Sequence, residues 1–227
     1  MPISPIYFYV PNLIGYARVL LAFVGYGAAL SDYRITVVSY LLSQLLDAAD
    51  GYAARKLGQS STFGAVLDMV TDRASTTCLC VVLAHFYPSY ILLFTFLVTL
   101  DMFSHWYHMY ASLLLGLGSH KECTNPLLKF YYKKAPLFLA CAGTELWYMS
   151  LYVMAWKDVQ AVRLLFYLCS PVCLFKQVAN VVQMCVAWEA LVEHDGKTAA
   201  TKKKPAASPA PKAAKERSKS PASKKKS

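Results

Sequence analysis

Four aspartates stand at spacings that metal and phosphate chemistry can use. The sequence reads Asp47-Ala-Ala-Asp50-Gly51-Tyr-Ala-Ala54-Arg55, then eight residues, then Gly64-Ala-Val-Leu-Asp68-Met-Val-Thr-Asp72. Residues three or four apart share one face of a helix. Asp47 and Asp50 therefore line a face of one helix, and Asp68 and Asp72 a face of the next. The short connection holds Gly58 and Ser60-Ser61-Thr62, which turn the chain back into an antiparallel hairpin, so the two pairs face each other. Four carboxylates brought together repel, and partial burial adds a desolvation cost to each. Cations must hold them. Arg55 and Arg73 are able to neutralise two charges, which would make the cluster purely structural. Four hard oxygen donors on two rigid helices better suit one or two divalent cations, Mg²⁺ or Mn²⁺, and such ions hold phosphates as well. Gly51 and Gly64 leave room for a bulky ligand, and Arg55 is placed to reach a phosphate at the ions.

The elements that carry this pattern are long and apolar. The chain has 227 residues, of which 56% are hydrophobic and only 16% charged. Soluble domains average about 25% charged, so a disordered chain is excluded and a soluble enzyme is disfavoured. A helix needs about 20 mostly apolar residues to cross a bilayer. Six stretches qualify: about 12–30, 35–57, 63–86, 89–115, 136–156 and 162–191, the last with Pro171 as a kink. The expected fold is therefore an all-α integral membrane bundle of six transmembrane helices, residues 11–193. A short N-terminal interfacial segment, residues 1–10, precedes it, with neither the basic start nor the cleavage site of a signal peptide. Ionisable residues inside such spans are functional candidates by default.

Charge is unevenly placed. The net charge is +10, and residues 196–227 carry 11 of the 23 Lys+Arg with 1 of the 13 Asp+Glu. The rest is neutral overall, so a nucleic-acid-binding core is not expected. Residues 194–227 are expected to form a disordered, Lys/Ala/Pro/Ser-rich cytosolic tail. Its positive charge suits anionic headgroups, or simply solvent. Basic residues in short connections set orientation. Arg55, Lys56, Lys121, Lys129, Lys133 and Lys134 fall on the side of both termini; Arg34, Lys157 and Arg163 fall opposite. Both termini and the aspartate cluster are thus expected in the cytosol. The seven cysteines lie mostly in apolar runs and read as buried thiols rather than disulfides or a zinc site. Tyr87, Tyr131, Tyr132, Trp147 and Trp156 read as interfacial anchors.

The aspartate pattern resembles the signature of the CDP-alcohol phosphatidyltransferase family without departure, and the likeness covers residues 8–192. The resemblance implies six membrane helices and a cytosol-facing site that transfers a phosphatidyl group from CDP-diacylglycerol to an alcohol, releasing CMP. It implies metal binding by Asp47, Asp50, Asp68 and Asp72, with Asp72 also the general base. It further implies that Gly51, Arg55 and, less directly, Ser61 contact the CDP moiety. Spacing alone cannot pick the base from the four. The stretches 8–18, 63–75, 100–106 and 141–148 resemble eukaryotic phosphatidylinositol synthases of that family, which implies myo-inositol as acceptor, an endoplasmic reticulum membrane (with the Golgi as an extension) and a homodimer.

The acceptor pocket is harder to read. Inositol is neutral and rich in hydroxyls, so it calls for hydrogen-bonding groups. Asp101, His105 and His108 share a side of the fourth span, and Lys133 and Lys134 open the fifth. Asp101, His105, Lys133 and Lys134 are the candidates, with His105 and His108 equally able to make interhelical bonds and the lysines to be cytosolic anchors. Glu145 and Lys176 are candidates for a buried pair. Asn12 and Arg18 border the nucleotide pocket or pack the bundle. Two other readings remain open: the same chemistry on an acceptor such as glycerol 3-phosphate, and a cation pathway through the acidic cluster.

Overall fold

The computed structural model describes residues 3–116 and 125–203. Among them every regular element is helical. A short 3₁₀ turn, Pro5–Phe8, leads into α1 (Val10–Gly27), α2 (Tyr33–Lys56) and α3 (Thr62–Phe86). A second such turn, Pro88–Tyr90, precedes α4 (Ile91–Leu114). The short α5 (Pro126–Tyr131), then α6 (Lys134–Trp156) and α7 (Gln160–Lys203) complete the chain.

Local chemistry sets the boundaries. Asp32 caps α2 by accepting from the backbone N–H of Arg34 at 2.9 Å, and Arg55 and Lys56 in its last turn complement the helix dipole. Gly58 then takes φ +63°, a left-handed geometry that closes the turn into α3. Ser61 caps α3 by accepting from the backbone N–H of Gly64 at 3.0 Å. Asn125 does the same for α5, toward Leu127 and Leu128.

The six long helices fall within about three residues of the sequence boundaries at nearly every end. One end departs. The tail was expected to begin at residue 194, yet α7 continues to Lys203. Propagating an existing helix avoids the cost of nucleation, so this mostly exposed polar sequence extends it without a packed partner. Helix α7 also runs on through Pro171. Residues 204–227, the rest of the expected tail, lie outside the described residues, as do Lys121 and Cys123.

Among the described residues, three stretches are long and apolar enough to cross a membrane by themselves: Pro88–Leu114, Lys134–Trp156 and Gln160–Ala199. Helices α2 and α3 miss that standard because they carry the acidic cluster. Many large apolar side chains point outward, among them Leu20, Phe23, Val81, Leu92, Phe138, Leu168 and Val192. An apolar surface of that extent is suited to lipid rather than water. The six cysteines among the described residues are unbridged, with Cys78 exposed and Cys80 buried as expected for positions two apart on a helix.

The buried apolar core fills one end of the bundle, where Tyr40, Leu79, Leu83, Phe94, Tyr148 and Tyr152 pack together. At the other end, near the α2–α3 turn, lies the acidic cluster. Small residues let the site helices approach closely. Gly25 faces Ser39 and Thr36 across α1 and α2, where an added Cβ would lie 3.4 Å from the Ser39 Cβ. The Thr36 hydroxyl donates to the carbonyl of Gly25 at 2.9 Å, and that of Ser43 to the carbonyl of Arg18 at 3.0 Å. The N-terminal segment docks on the turn. The backbone N–H of Val10 donates to Gln59 Oε1 at 2.9 Å, and Tyr7 stands edge-on to Phe63.

Candidate active site

Helices α2 and α3 present the four aspartates to one another as the spacing requires. One oxygen from each of Asp47, Asp50 and Asp68 falls within 4.8 Å of the others. The cation among them was not the expected one. Arg18 of α1 enters the cluster with its side chain only 1% exposed. Its Nη2 lies 2.8 Å from Asp47 and its Nη1 2.8 Å from both Asp50 and Asp68; its Nη2 also donates to Asp72. One planar guanidinium thus spans all four carboxylates, which its fork of donors allows and a lysine ammonium would not.

The signal for this was present in the sequence. Arg18 is the only charged residue in α1, and a lone cation in an apolar helix must meet an anion inside the bundle. Periodicity cannot say which anion, because the answer lies on two other helices. Arg55, by contrast, makes no ion pair among the described residues. Its guanidinium lies beside Gly51, where an added Cβ would sit 3.4 Å from Nη1.

Arg73 turns away toward α4. Its Nη1 lies 2.7 and 2.8 Å from the two oxygens of Asp101, while its Nη2 is 3.7 Å from Asp72. Lys176 of α7, 3% exposed, reaches the same Asp101 oxygen at 3.5 Å. The expected Glu145–Lys176 pair is therefore replaced by Asp101–Lys176. Glu145 instead accepts from the hydroxyls of Tyr40 at 2.6 Å and Thr76 at 2.9 Å. His105 Nδ1 lies 2.8 Å from the carbonyl of Asp101, which can only accept, so Nδ1 carries the proton. Its Nε2 then faces Arg73 Nη1 at 3.4 Å as an acceptor.

Two cavities flank the cluster. The first, about 180 Å³, is lined by Asn12, Gly15, Asp50, Gly51, Arg55, Ser61, Gly64 and Asp68 among others. The second, about 510 Å³, is lined by Asp68, Asp72, Arg73, His105, His108, Tyr132 and Gln183 among others. Asp68 belongs to both. Gly51, Arg55 and Ser61, expected at one ligand, do share one cavity. The acceptor candidates divide. His105 lines the second cavity, whereas Asp101 sits behind it as the anchor of Arg73 and Lys176. Lys133 and Lys134 are exposed at the start of α6 and line neither cavity. Lys133 occupies the N-cap position of α6 without a side-chain cap bond, and its Nζ lies over the ring of Phe130.

Residues not singled out for this pocket take those places. Tyr132 and Gln183 line it and are joined to each other at 3.1 Å. Tyr131, 2% exposed, packs on Phe175 inside the bundle. Both tyrosines were expected at the membrane surface. Short connections hid this, because α5 folds them back over α7.

The donor set fits a hard divalent cation. Its ligands are carboxylate oxygens gathered on two helices, and three approach closely enough to share one ion with small side-chain movements. Four carboxylates against Arg18 also leave negative charge for such an ion to balance.

Comparison with known proteins agrees with this geometry. The sequence pattern of the family described as CDP-alcohol phosphatidyltransferase matches residues 8–193. The chain is 42% identical to a CDP-diacylglycerol–inositol 3-phosphatidyltransferase of Schizosaccharomyces pombe, over 84% of this chain and 91% of that protein. It is 40% identical to the protein of that name from Rattus norvegicus and 41% to that from Homo sapiens, each over 89% of this chain and 100% of the relative. No solved structure matches the chain. With the family pattern spanning the whole helical bundle and its aspartates gathered around two adjoining cavities, the chain belongs to the CDP-alcohol phosphatidyltransferase family.

Proposed function

We propose that this protein transfers the phosphatidyl group of CDP-diacylglycerol to a hydroxyl of myo-inositol, giving phosphatidylinositol and CMP. The observation that carries the reading is the junction of two cavities at Asp68, beside the aspartate cluster, in a chain so similar to proteins named for this reaction.

The first cavity is the nucleotide side. Arg55 supplies a cation without an ion-pair partner among the described residues, Gly51 leaves it room, and Ser61 adds a hydroxyl. Asp47, Asp50, Asp68 and Asp72 would hold Mg²⁺ or Mn²⁺, which when bound neutralises the diphosphate and the charge that grows on departing CMP.

The second cavity is the acceptor side. Tyr132 and Gln183 offer hydrogen-bonding atoms suited to a neutral polyol, His105 forms part of the wall and orients Arg73, and Arg73 sets the field beside Asp72. Asp47 and Asp50 do not line this cavity, whereas Asp72 does. Asp68 lines it as well, so the lining narrows the base to two and the family resemblance points to Asp72, which takes the proton of the attacking hydroxyl onto a carboxylate oxygen. The hydroxyl oxygen forms a bond to the phosphorus that bears diacylglycerol. The bond from that phosphorus to the bridging oxygen breaks, and its electron pair leaves with CMP.

We place all six long helices across the membrane of the endoplasmic reticulum, with the cluster and both termini cytosolic and the chain paired as a homodimer. The aspartates of α2 and α3 are tolerated there because they turn inward to Arg18, and Arg73 of α3 because it turns to Asp101 of α4. A cation pathway is the weaker reading, since Arg18 fills the centre of the cluster an ion would traverse.

Incorporation of radiolabelled myo-inositol into lipid by the purified, detergent-solubilised protein tests the function. It should require CDP-diacylglycerol and Mg²⁺ or Mn²⁺ and vanish in Asp72→Asn. CMP release only with another alcohol, such as glycerol 3-phosphate, would overturn inositol. No CMP release with any alcohol from folded protein would overturn the enzyme.

A further inference from the structure

Arg18 and a divalent ion make demands on the same carboxylates. The three carboxylate oxygens that gather closely belong to Asp47, Asp50 and Asp68. The guanidinium of Arg18 lies 2.8 Å from each of those residues. A divalent ion of this kind needs its oxygens at about 2.0–2.1 Å, which leaves no place for a second cation among them. The guanidinium is also imperfectly housed, because its Nε is buried without a hydrogen-bond partner.

We propose that Arg18 is a built-in counter-ion of the cluster and competes with the divalent ion for its carboxylates. This rests on the metal reading above. Arg18 ties α1 to α2 and α3 and offsets the mutual repulsion of the four aspartates. When an ion binds, it yields the shared carboxylates. Residues on the same face of α1, Asn12 and Gly15, line the nucleotide cavity, so the released guanidinium stays next to the place an anionic diphosphate takes. The enzyme would thus keep its site assembled without metal, at the expense of some metal affinity.

The test is Mn²⁺ binding followed by electron paramagnetic resonance on the full chain in detergent, without substrates, together with melting temperatures in EDTA and in Mn²⁺. Arg18→Gln should bind Mn²⁺ roughly tenfold more tightly or better, since removal of a cation within contact distance strengthens the site. It should melt lower than the wild type in EDTA and recover more on adding Mn²⁺. Arg18→Lys keeps the charge but loses the fork, so its affinity should fall between the two. It supplies the comparison if Arg18→Gln does not survive purification. Equal or weaker Mn²⁺ binding in the variants would overturn the competition while leaving the metal site standing. Absence of Mn²⁺ binding in wild type and variants alike would overturn the metal reading itself.

Discussion

Arg73 and Asp101 form the closest ion pair behind the second cavity, with one guanidinium nitrogen 2.7 and 2.8 Å from the two carboxylate oxygens. Arg73 follows Asp72 directly in α3, so the pair fixes the backbone that carries the proposed base. Lys176 and Asn180 of α7 converge on the same carboxylate at 3.5 Å each. One aspartate therefore joins α3, α4 and α7 behind the reaction chamber.

Removing the charge of Asp101 should be costly. Asp101→Asn leaves two buried cations without their anion, and breaking a buried pair this way costs about 3–5 kcal/mol. Thermal unfolding in detergent should show the loss. Turnover by the surviving folded protein should also fall, because Arg73 no longer holds its place beside Asp72. An unchanged melting temperature would show that Arg73 and Lys176 find other partners.

The two site glycines should separate binding from folding. At Gly51 an added Cβ would lie 3.4 Å from the mobile tip of Arg55. Gly51→Ala should keep its stability and raise the KM for CDP-diacylglycerol about tenfold. At Gly64 the same Cβ would lie 2.7 Å from Asn12 Oδ1. Asn12 cannot swing aside, since it is buried and its amide donates to the carbonyl of Ile6 at 2.6 Å. Gly64→Ala should lose about 1–3 kcal/mol from overpacking as well as substrate affinity. Steady-state kinetics beside melting curves decide between these outcomes.

Substitutions at the acceptor side should follow the lining of the second cavity. His105→Ala should raise the KM for inositol about three- to tenfold, the worth of the hydrogen bond by which its Nε2 orients Arg73 at the cavity wall, with little effect on the KM for CDP-diacylglycerol. Lys133→Ala and Lys134→Ala should change neither constant by more than about twofold, as expected of surface changes remote from a site. A large rise in inositol KM from either lysine variant would return them to the pocket.

Packing between α6 and α7 supplies a control remote from the chemistry. A Cβ at Gly143 would lie 2.6 Å from Val172 Cγ1 and 3.2 Å from its Cβ. A branched side chain in a helix strongly prefers one rotamer, so Gly143→Ala should destabilise the protein by about 1–3 kcal/mol. Both KM values should hold in the fraction that stays folded, measured at a temperature below its transition.

Much of the site was legible in the chain because it depends on local geometry. Asp47 with Asp50, and Asp68 with Asp72, share helix faces by spacing alone. Gly58 and the Ser61 cap turn α2 into α3 by local backbone and side-chain chemistry, and together these bring the four carboxylates into opposition. The six long helices follow from long, mostly apolar stretches of sequence, and three of them among the described residues are long and apolar enough to cross a membrane. Helical periodicity also places Gly51 and Arg55 beside one another.

Tertiary structure decided what periodicity cannot carry. It chose Arg18 of α1 as the cation among the four aspartates, although Arg55 and Arg73 are nearer in sequence. It gave Lys176 to Asp101 rather than Glu145, and it turned Tyr131 and Tyr132 inward while leaving Lys133 and Lys134 at the surface. Each choice depends on which helices become neighbours and how they rotate about their axes, and close packing of small residues such as Gly25 against Ser39 sets that arrangement. A sequence fixes the face on which a charge stands; the partner it meets belongs to another helix, and only the packed bundle brings the two within contact distance.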